Sequence, residues 1–120
     1  ESVNVSGNRW LTTIDLADNQ LVGVDLTGNP SLEELRLSNN NLAALDLREN
    51  PAIQYVDARY NKLPSQSIDS LLSILVAHGR KGGILLLDGG GNAAPTARGR
   101  GAAWVLAQRS WQVQTNREID

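Results

Sequence analysis

The 120-residue chain contains no cysteine, methionine or phenylalanine, and His78 is its single histidine. Without thiols there are no disulfides, no thiolate metal ligands and no cysteine nucleophile, and the redox compartment is left open. Aromatic residues make up 4% of the chain, so the interior must be filled by aliphatic side chains, chiefly leucine. Neither sign of charge dominates. Eleven Lys and Arg stand against 13 Asp and Glu, a formal −2, which excludes the strongly basic footprint of a dedicated nucleic-acid binder. Long apolar runs are also missing: none approaches the roughly 18 residues of a membrane span, and no basic, apolar, small-residue succession forms a signal peptide. With 41% hydrophobic and 20% charged residues, the chain has the size and polarity of one soluble globular unit.

What the sequence does contain is a repeat. Asparagines stand at Asn8, Asn19, Asn29, Asn40, Asn50 and Asn61, at intervals of 11, 10, 11, 10 and 11. The period is therefore 21 residues, made of two half-turns. Ahead of the asparagines run Val3-Asn4-Val5, Ile14-Asp15-Leu16, Val24-Asp25-Leu26, Leu35-Arg36-Leu37, Leu45-Asp46-Leu47 and Val56-Asp57-Ala58. Apolar-polar-apolar alternation reads as a short strand with one buried face. Behind the asparagines lies a second apolar column, Leu11, Leu21, Leu32, Leu42, Ile53 and Leu63. Recurrence at a fixed short period stacks each strand on its equivalent in the next coil, which makes a solenoid. An Asn amide carries an acceptor and two donors, so stacked asparagines can bond the turns of neighbouring coils. All six are read as scaffold, with only Asn8 at the outer edge able to stand apart.

Leu11-Thr12-Thr13-Ile14-Asp15-Leu16-Ala17-Asp18-Asn19, Val24-Asp25-Leu26-Thr27-Gly28-Asn29-Pro30 and Leu42-Ala43-Ala44-Leu45-Asp46-Leu47-Arg48-Glu49-Asn50-Pro51 resemble bacterial leucine-rich repeats of the form LxxLDLSxNPxLxxLxLxxNxL. The resemblance covers residues 3–63, with Pro30 and Pro51 marking the longer half-turn. It implies an α/β fold, a solenoid of short parallel strands, and a bacterial or phage surface context outside the cell.

After Asn61 the period breaks. Ile68, Leu71, Leu72, Leu75 and Val76 recur at helical spacing, predicting a helix from about Gln66 to His78 with Ser65 as N-cap and Gly79 as its stop. Ile84-Leu85-Leu86-Leu87 reads as a short strand, Asp88-Gly89-Gly90-Gly91-Asn92 as a loop, and residues 96–108 as a second helix capped by Thr96. Residues 111–115, beginning at Trp111, read as a closing strand. This tail resembles the ending of the same bacterial repeat proteins. Right-handed crossovers make successive strands parallel, so 84–87 and 111–115 should extend a sheet holding 14–16, 35–37 and 56–58. The half-turns around 24–26 and 45–47 should line the opposite wall. Two segments of one domain result: repeat coils over 1–63, and a two-helix, two-strand C-terminal cap over 64–120. Val3-Asn4-Val5 begins mid-coil, which reads as the continuation of a longer protein, or as an edge that packs on another chain.

Material for catalysis is sparse. His78 has no acidic neighbour in sequence and sits at a helix C-terminus, where a cation is favoured anyway. No serine occupies a nucleophile elbow. Asp15, Asp25, Asp46 and Asp57 alternate between the two walls and lack the pattern of calcium-binding coils; they read as solvated strand positions. The 88–92 loop lacks the Lys and Ser or Thr of a phosphate cradle. No catalytic residue, metal site or cofactor is expected.

The outward side chains of the long sheet are the informative surface: Thr13, Asp15, Ala17; Glu34, Arg36, Ser38; Tyr55, Asp57, Arg59; Leu86; Gln112, Gln114. They change from coil to coil while the buried columns stay uniform, as a preorganised recognition surface requires. The binding residues expected from this reading are Glu34, Arg36, Tyr55, Asp57, Arg59, Leu86, Gln112 and Gln114, with Tyr55, Arg36 and Arg59 as anchors. Trp111 reads as core, Trp104, on the flank of the second helix, as packed on the first helix or else meeting a partner, and Trp10 as partly exposed. Charge divides unevenly: residues 1–60 carry −5 and residues 61–120 carry +3, which can steer an acidic partner or bring two copies together. The expected function is non-catalytic recognition or adhesion, binding a protein or glycan on a cell surface, without nucleic acid or membrane insertion. The alternative is the structural tip of an oligomeric bacterial or phage fibre, a homo-oligomer joined through the first coil.

Overall fold

A computed structural model describes residues 2–4 and 8–117. In chain order the elements are β1 (Ser2–Asn4), β2 (Thr13–Asp15), β3 (Gly23–Asp25), β4 (Glu34–Arg36), β5 (Tyr55–Asp57), α1 (Ser65–His78), β6 (Ile84–Leu86), α2 (Ala97–Gln108) and β7 (Gln112–Gln114). The long sheet runs β2-β4-β5-β6-β7, all parallel, while β1 and β3 form a two-stranded sheet on the other wall. The fold is therefore an α/β solenoid of short parallel strands with a helical cap.

Most repeat strands begin and end one residue earlier than the alternation predicts. Three of these strands, β2, β3 and β5, end on an aspartate. The Oδ1 atoms of Asp15, Asp25, Asp46 and Asp57 accept the backbone N–H two residues on, from Ala17, Thr27, Arg48 and Arg59. Such a bond mimics a backbone turn and bends the chain straight after the acid. The four aspartates are thus turn closers, a role that solvated strand positions would not have. The segment 45–47 is a second correction. Residues 44–46 form no strand: they make no ladder with β3 of the preceding coil, and no later strand among the described residues lies beyond them on this wall. Where a next half-turn would lie, α1 and the chain after it reach across with side chains instead. Ser67 Oγ donates to the Ala43 carbonyl at 3.0 Å, His78 Nε2 to Leu47 at 2.8 Å and Arg80 Nε to Pro51 at 2.9 Å.

Asparagine amides hold the sheet side together. Asn40 Oδ1 accepts Leu21 N–H, and its Nδ2 donates to the carbonyls of Leu16 and Leu37. Asn61 repeats this with Leu42, Leu37 and Ala58, and Asn92 with Leu63, Ala58 and Leu87. Asn92, at the end of the glycine loop, is thus a further member of the ladder. On the other wall Asn50 Nδ2 donates to Leu26 and Asn29, and Asn29 Nδ2 to the carbonyl of Asn8, which ties Asn8 into the coil. Asp18, Asn39 and Tyr60 precede sheet-side ladder asparagines and all take positive φ, 61°, 58° and 59°. This 21-residue spacing of a left-handed residue turns the chain so that the next amide points inward.

One apolar core runs from Ile14 to Trp111 through both coils and cap. Leu35, Val56 and Leu85 stack across the sheet, while Ile68, Leu71, Leu72 and Leu75 of α1 and Leu106 of α2 close the far end. The C-cap of α1 is Gly79 at φ 76°, as predicted. The helix N-termini differ from expectation. Pro64 occupies the N-cap of α1, and Ser65 Oγ donates to the Ala94 carbonyl instead. Thr96 does stand at the N-cap of α2, but its hydroxyl and N–H both go to the buried carboxylate of Asp69 on α1. Trp111 is buried and its Nε1 donates to the Arg80 carbonyl at 2.8 Å. Trp104 is 65% exposed rather than packed on α1, because small residues (Gly99, Ala102, Ala103) form the contact face of α2 and leave the indole on its flank. Trp10 is 86% exposed.

Asn61→Ala removes the partners of several buried backbone groups, at roughly 1–3 kcal/mol each, so urea unfolding should show a loss of about 3 kcal/mol. The same change at the exposed Asn19 should cost less than about 1 kcal/mol. At Gly99 an added Cβ would press into Asp69 Oδ1 and Pro95, whereas at Gly101 it meets nothing within 4 Å. Gly99→Ala should therefore lower stability by about 1–3 kcal/mol. Gly101→Ala should raise it by about 0.5–1 kcal/mol.

Candidate recognition face

Register places the outward side chains of the long sheet in rows. One row reads Thr13, Glu34, Tyr55, Ile84, Gln112, and the next Asp15, Arg36, Asp57, Leu86, Gln114. All eight residues expected at the site stand on this one face. Ile84 joins them as a residue that the sequence reading passed over. Its signal lay in strand alternation: Leu85 and Leu87 are fully buried, so Ile84 and Leu86 of the same apolar run must point outward. Tyr55 opposite Ile84, with Leu86 beside it, gives the face an apolar centre. Around it stand Glu34, Arg36, Arg59, Gln112 and Gln114.

The charged groups are held in pairs. The Arg36 guanidinium lies 4.5 Å from the centre of the Tyr55 ring, a cation–π contact, with Nη1 3.3 Å from the Tyr55 hydroxyl and Nη2 3.5 Å from Glu34. Arg59 folds back on Asp57 through two bonds of 2.9 Å, one from Nε and one from Nη2. Asp57 is a correction to the expected solvated acid: it is only 6% exposed. Arg36 and Leu86 flank it in the row, and Arg59 covers it. Burial alone would raise the Asp57 carboxyl. The side-chain and backbone hydrogen bonds from Arg59, with the charges of Arg59 and Arg36, overcome that and hold it below the ordinary carboxylate range. The same pairing raises the Arg59 pKa further above its usual value. Arg59 is thus committed to Asp57 and Arg36 to Tyr55, which leaves the outward faces of Ile84 and Leu86 and the exposed Gln112 and Gln114 open to a partner, with the Arg36–Tyr55 pair beside them.

His78 lies away from this face and, donating from Nε2 to Leu47, joins cap to coil. Among the described residues no three His, Asp or Glu side chains are gathered as a metal site, and in the sheet row Arg36 separates Asp15 from Asp57. No helix among these residues is long and apolar enough to cross a membrane.

The Asp57 pairing makes stability depend on pH in one direction. Its folded pKa lies below the unfolded one, so its contribution is complete above the unfolded value of about 3.9 and disappears as pH falls through the folded value. Asp57→Asn should therefore lower stability at pH 7 and shrink the further loss between about pH 4 and pH 2 relative to the unmutated chain, read by urea midpoints across that range.

Residues 2–25 and 28–48 match the family model described as "Leucine Rich repeat". No curated protein and no solved structure matches the chain. Leucine-rich repeats generally serve as protein-interaction modules and are typically non-catalytic. The 21-residue period, the asparagine ladder between coils and the parallel sheet agree with that match, which identifies the coils over residues 2–25 and 28–48 as leucine-rich repeats.

Proposed function

We propose that the chain is a non-catalytic recognition module that binds a protein partner through the outward face of its five-stranded sheet. The observation that carries this reading is an apolar centre of Tyr55, Ile84 and Leu86 inside a rim of charged and amide side chains. Interfaces between proteins have that anatomy, with a water-excluding core and a polar border. The backbone ladder fixes the spacing of the rows, and the Arg36–Tyr55 and Arg59–Asp57 contacts fix the side chains. Little conformational freedom is then lost on binding. Adhesion at a cell surface is the setting that the likeness to bacterial surface repeats suggests. A glycan is the competing ligand class.

The choice of variant follows from the burial of Asp57. Replacing Arg59 would strand a buried acid and weaken the fold itself, by about 3–5 kcal/mol for a fully buried pair. Tyr55→Ala and Ile84→Ser change outward groups in the row that does not hold Asp57. Each should weaken partner binding by at least about tenfold, measured by biolayer interferometry against proteins captured from a cell-surface extract, with the thermal midpoint unchanged within about 2 °C. Retention of an oligosaccharide on a glycan array, lost in both variants, would replace the protein partner with a glycan. Binding unaffected by either change would move the site off the sheet.

A second reading, the tip of an oligomeric fibre, draws on β2, which pairs with β4 alone among the described residues and lies near the exposed Trp10. Multi-angle light scattering separates the two: a trimer at every concentration supports the fibre, and a monomer supports the tethered module.

A further inference from the structure

The opposite wall carries a groove of about 530 Å³, separate from the sheet face. One side is the coil segment Ala44, Leu45, Asp46 and Arg48. The other is the outer face of α1, from Gln66 to Ile74, and Arg98 of α2 completes the lining. Leu45-Asp46-Leu47 has the alternation of a strand, yet the backbone groups of residues 44–46 make no backbone hydrogen bond among the described residues. Their counterparts in the preceding coil, residues 23–25, pair with β1. Ser67, His78 and Arg80 satisfy the carbonyls on either side, at Ala43, Leu47 and Pro51, and leave the stretch between them unladdered. The groove thus runs beside an unused strand edge, walled by the hydroxyl-bearing Ser70 and Ser73.

Charge gives the slot a preference. Arg48 is balanced by Asp46 at 2.8 Å, whereas Arg98 forms no ion pair among the described residues. Arg98 also stands in the first turn of α2, a helix with no acidic residue in that turn. The positive end of that helix is already met by Asp69 at Thr96, so a carboxylate entering the groove would answer the side-chain charge of Arg98.

We infer that this groove binds an extended acidic peptide by strand addition along residues 44–46, with one of its carboxylates at Arg98. Main-chain pairing supplies affinity in this mode and side-chain pockets supply selection. At about 3.3 Å per extended residue, three residues of the partner match the free 44–46 edge between the bonded carbonyls of Ala43 and Leu47, and a pentapeptide adds one residue at each end. Ser70 and Ser73 offer hydroxyls to its outward polar groups, and Ile74 offers an apolar contact.

The test is amide chemical-shift mapping of the full chain, with a pool of pentapeptides carrying Asp at alternate positions and mixed Val, Thr and Ser between. A second pool carries Lys for Asp. The expected result is shifts confined to residues 44–48, 66–74 and 97–99 with the Asp pool, and none with the Lys pool. Arg98→Glu should weaken the Asp pool at least tenfold, and Ser70→Trp, which fills the slot from an exposed position, should abolish it. Tyr55→Ala should leave it unchanged, which separates failure here from failure of the sheet-face reading. No shifts with the Asp pool, equal response to both pools, or shifts on the sheet face would overturn the proposal. So would an Asp-pool response in which Arg98→Glu binds as tightly as the unmutated chain.

Discussion

Every coil of a solenoid has to bend its backbone inside an apolar interior, where an unpartnered carbonyl or N–H is costly. The asparagine amide meets that constraint here. Each sheet-side ladder residue from Asn40 onward takes one N–H and donates to two or more carbonyls, some in its own coil and some in the one before. The period of 21, the left-handed residue ahead of each sheet-side asparagine before the cap, and the inward leucines all serve this geometry. Where the coil is lengthened by the cap, Asn92 still makes the same set of bonds, and Asn116 adds a bond to the carbonyl of Asn92 and another from the N–H of Gly89.

The cap joins the coils by two different devices on its two walls. On the sheet side β6 and β7 continue the backbone ladder, so the surface there is regular and its outward rows keep their register. On the other wall a helix has no strand edge to offer, and only side chains cross the junction. Ser67, His78 and Arg80 bond three carbonyls. The regular wall carries a face whose charges are neutralised in place, Arg36 by Glu34 and Tyr55, Arg59 by Asp57. The irregular wall carries a groove with an arginine that no acid neutralises among the described residues. The two surfaces therefore differ in chemistry: the sheet is broad and partly apolar, and the groove is narrow and holds a cation without an ion pair among the described residues.

Much of the outward sheet face could be read in advance because β-strand side chains alternate with a period of two and stacking repeats them every 21 residues in the coils. Glu34, Arg36, Tyr55, Asp57 and Arg59 follow from both rules, and Leu86, Gln112 and Gln114, beyond the break in the period, from strand alternation alone. Ile84 was hidden by sitting in an unbroken apolar run, where alternation gives no contrast. Which charged groups stay available was not legible either. Asp57 has the same Asp-x-x motif as Asp15 and Asp46. Its burial comes from Leu86, supplied by a strand nearly 30 residues later, and from Arg59 folding over it.

The sequence by itself determined the coils: a local period, set by the repeat of buried leucines and bonding asparagines, admits one stacking and hence one sheet order. Only the tertiary structure decided how the cap meets them. Asp69 receiving the N-terminus of α2, Trp104 left in solvent, and the slot beside residues 44–46 all arise from contacts between segments some 20 to 50 residues apart that share no period. Such contacts depend on how closely two surfaces approach, and side-chain volumes at Gly99, Ala102 and Ala103 set that approach only once the helices are packed.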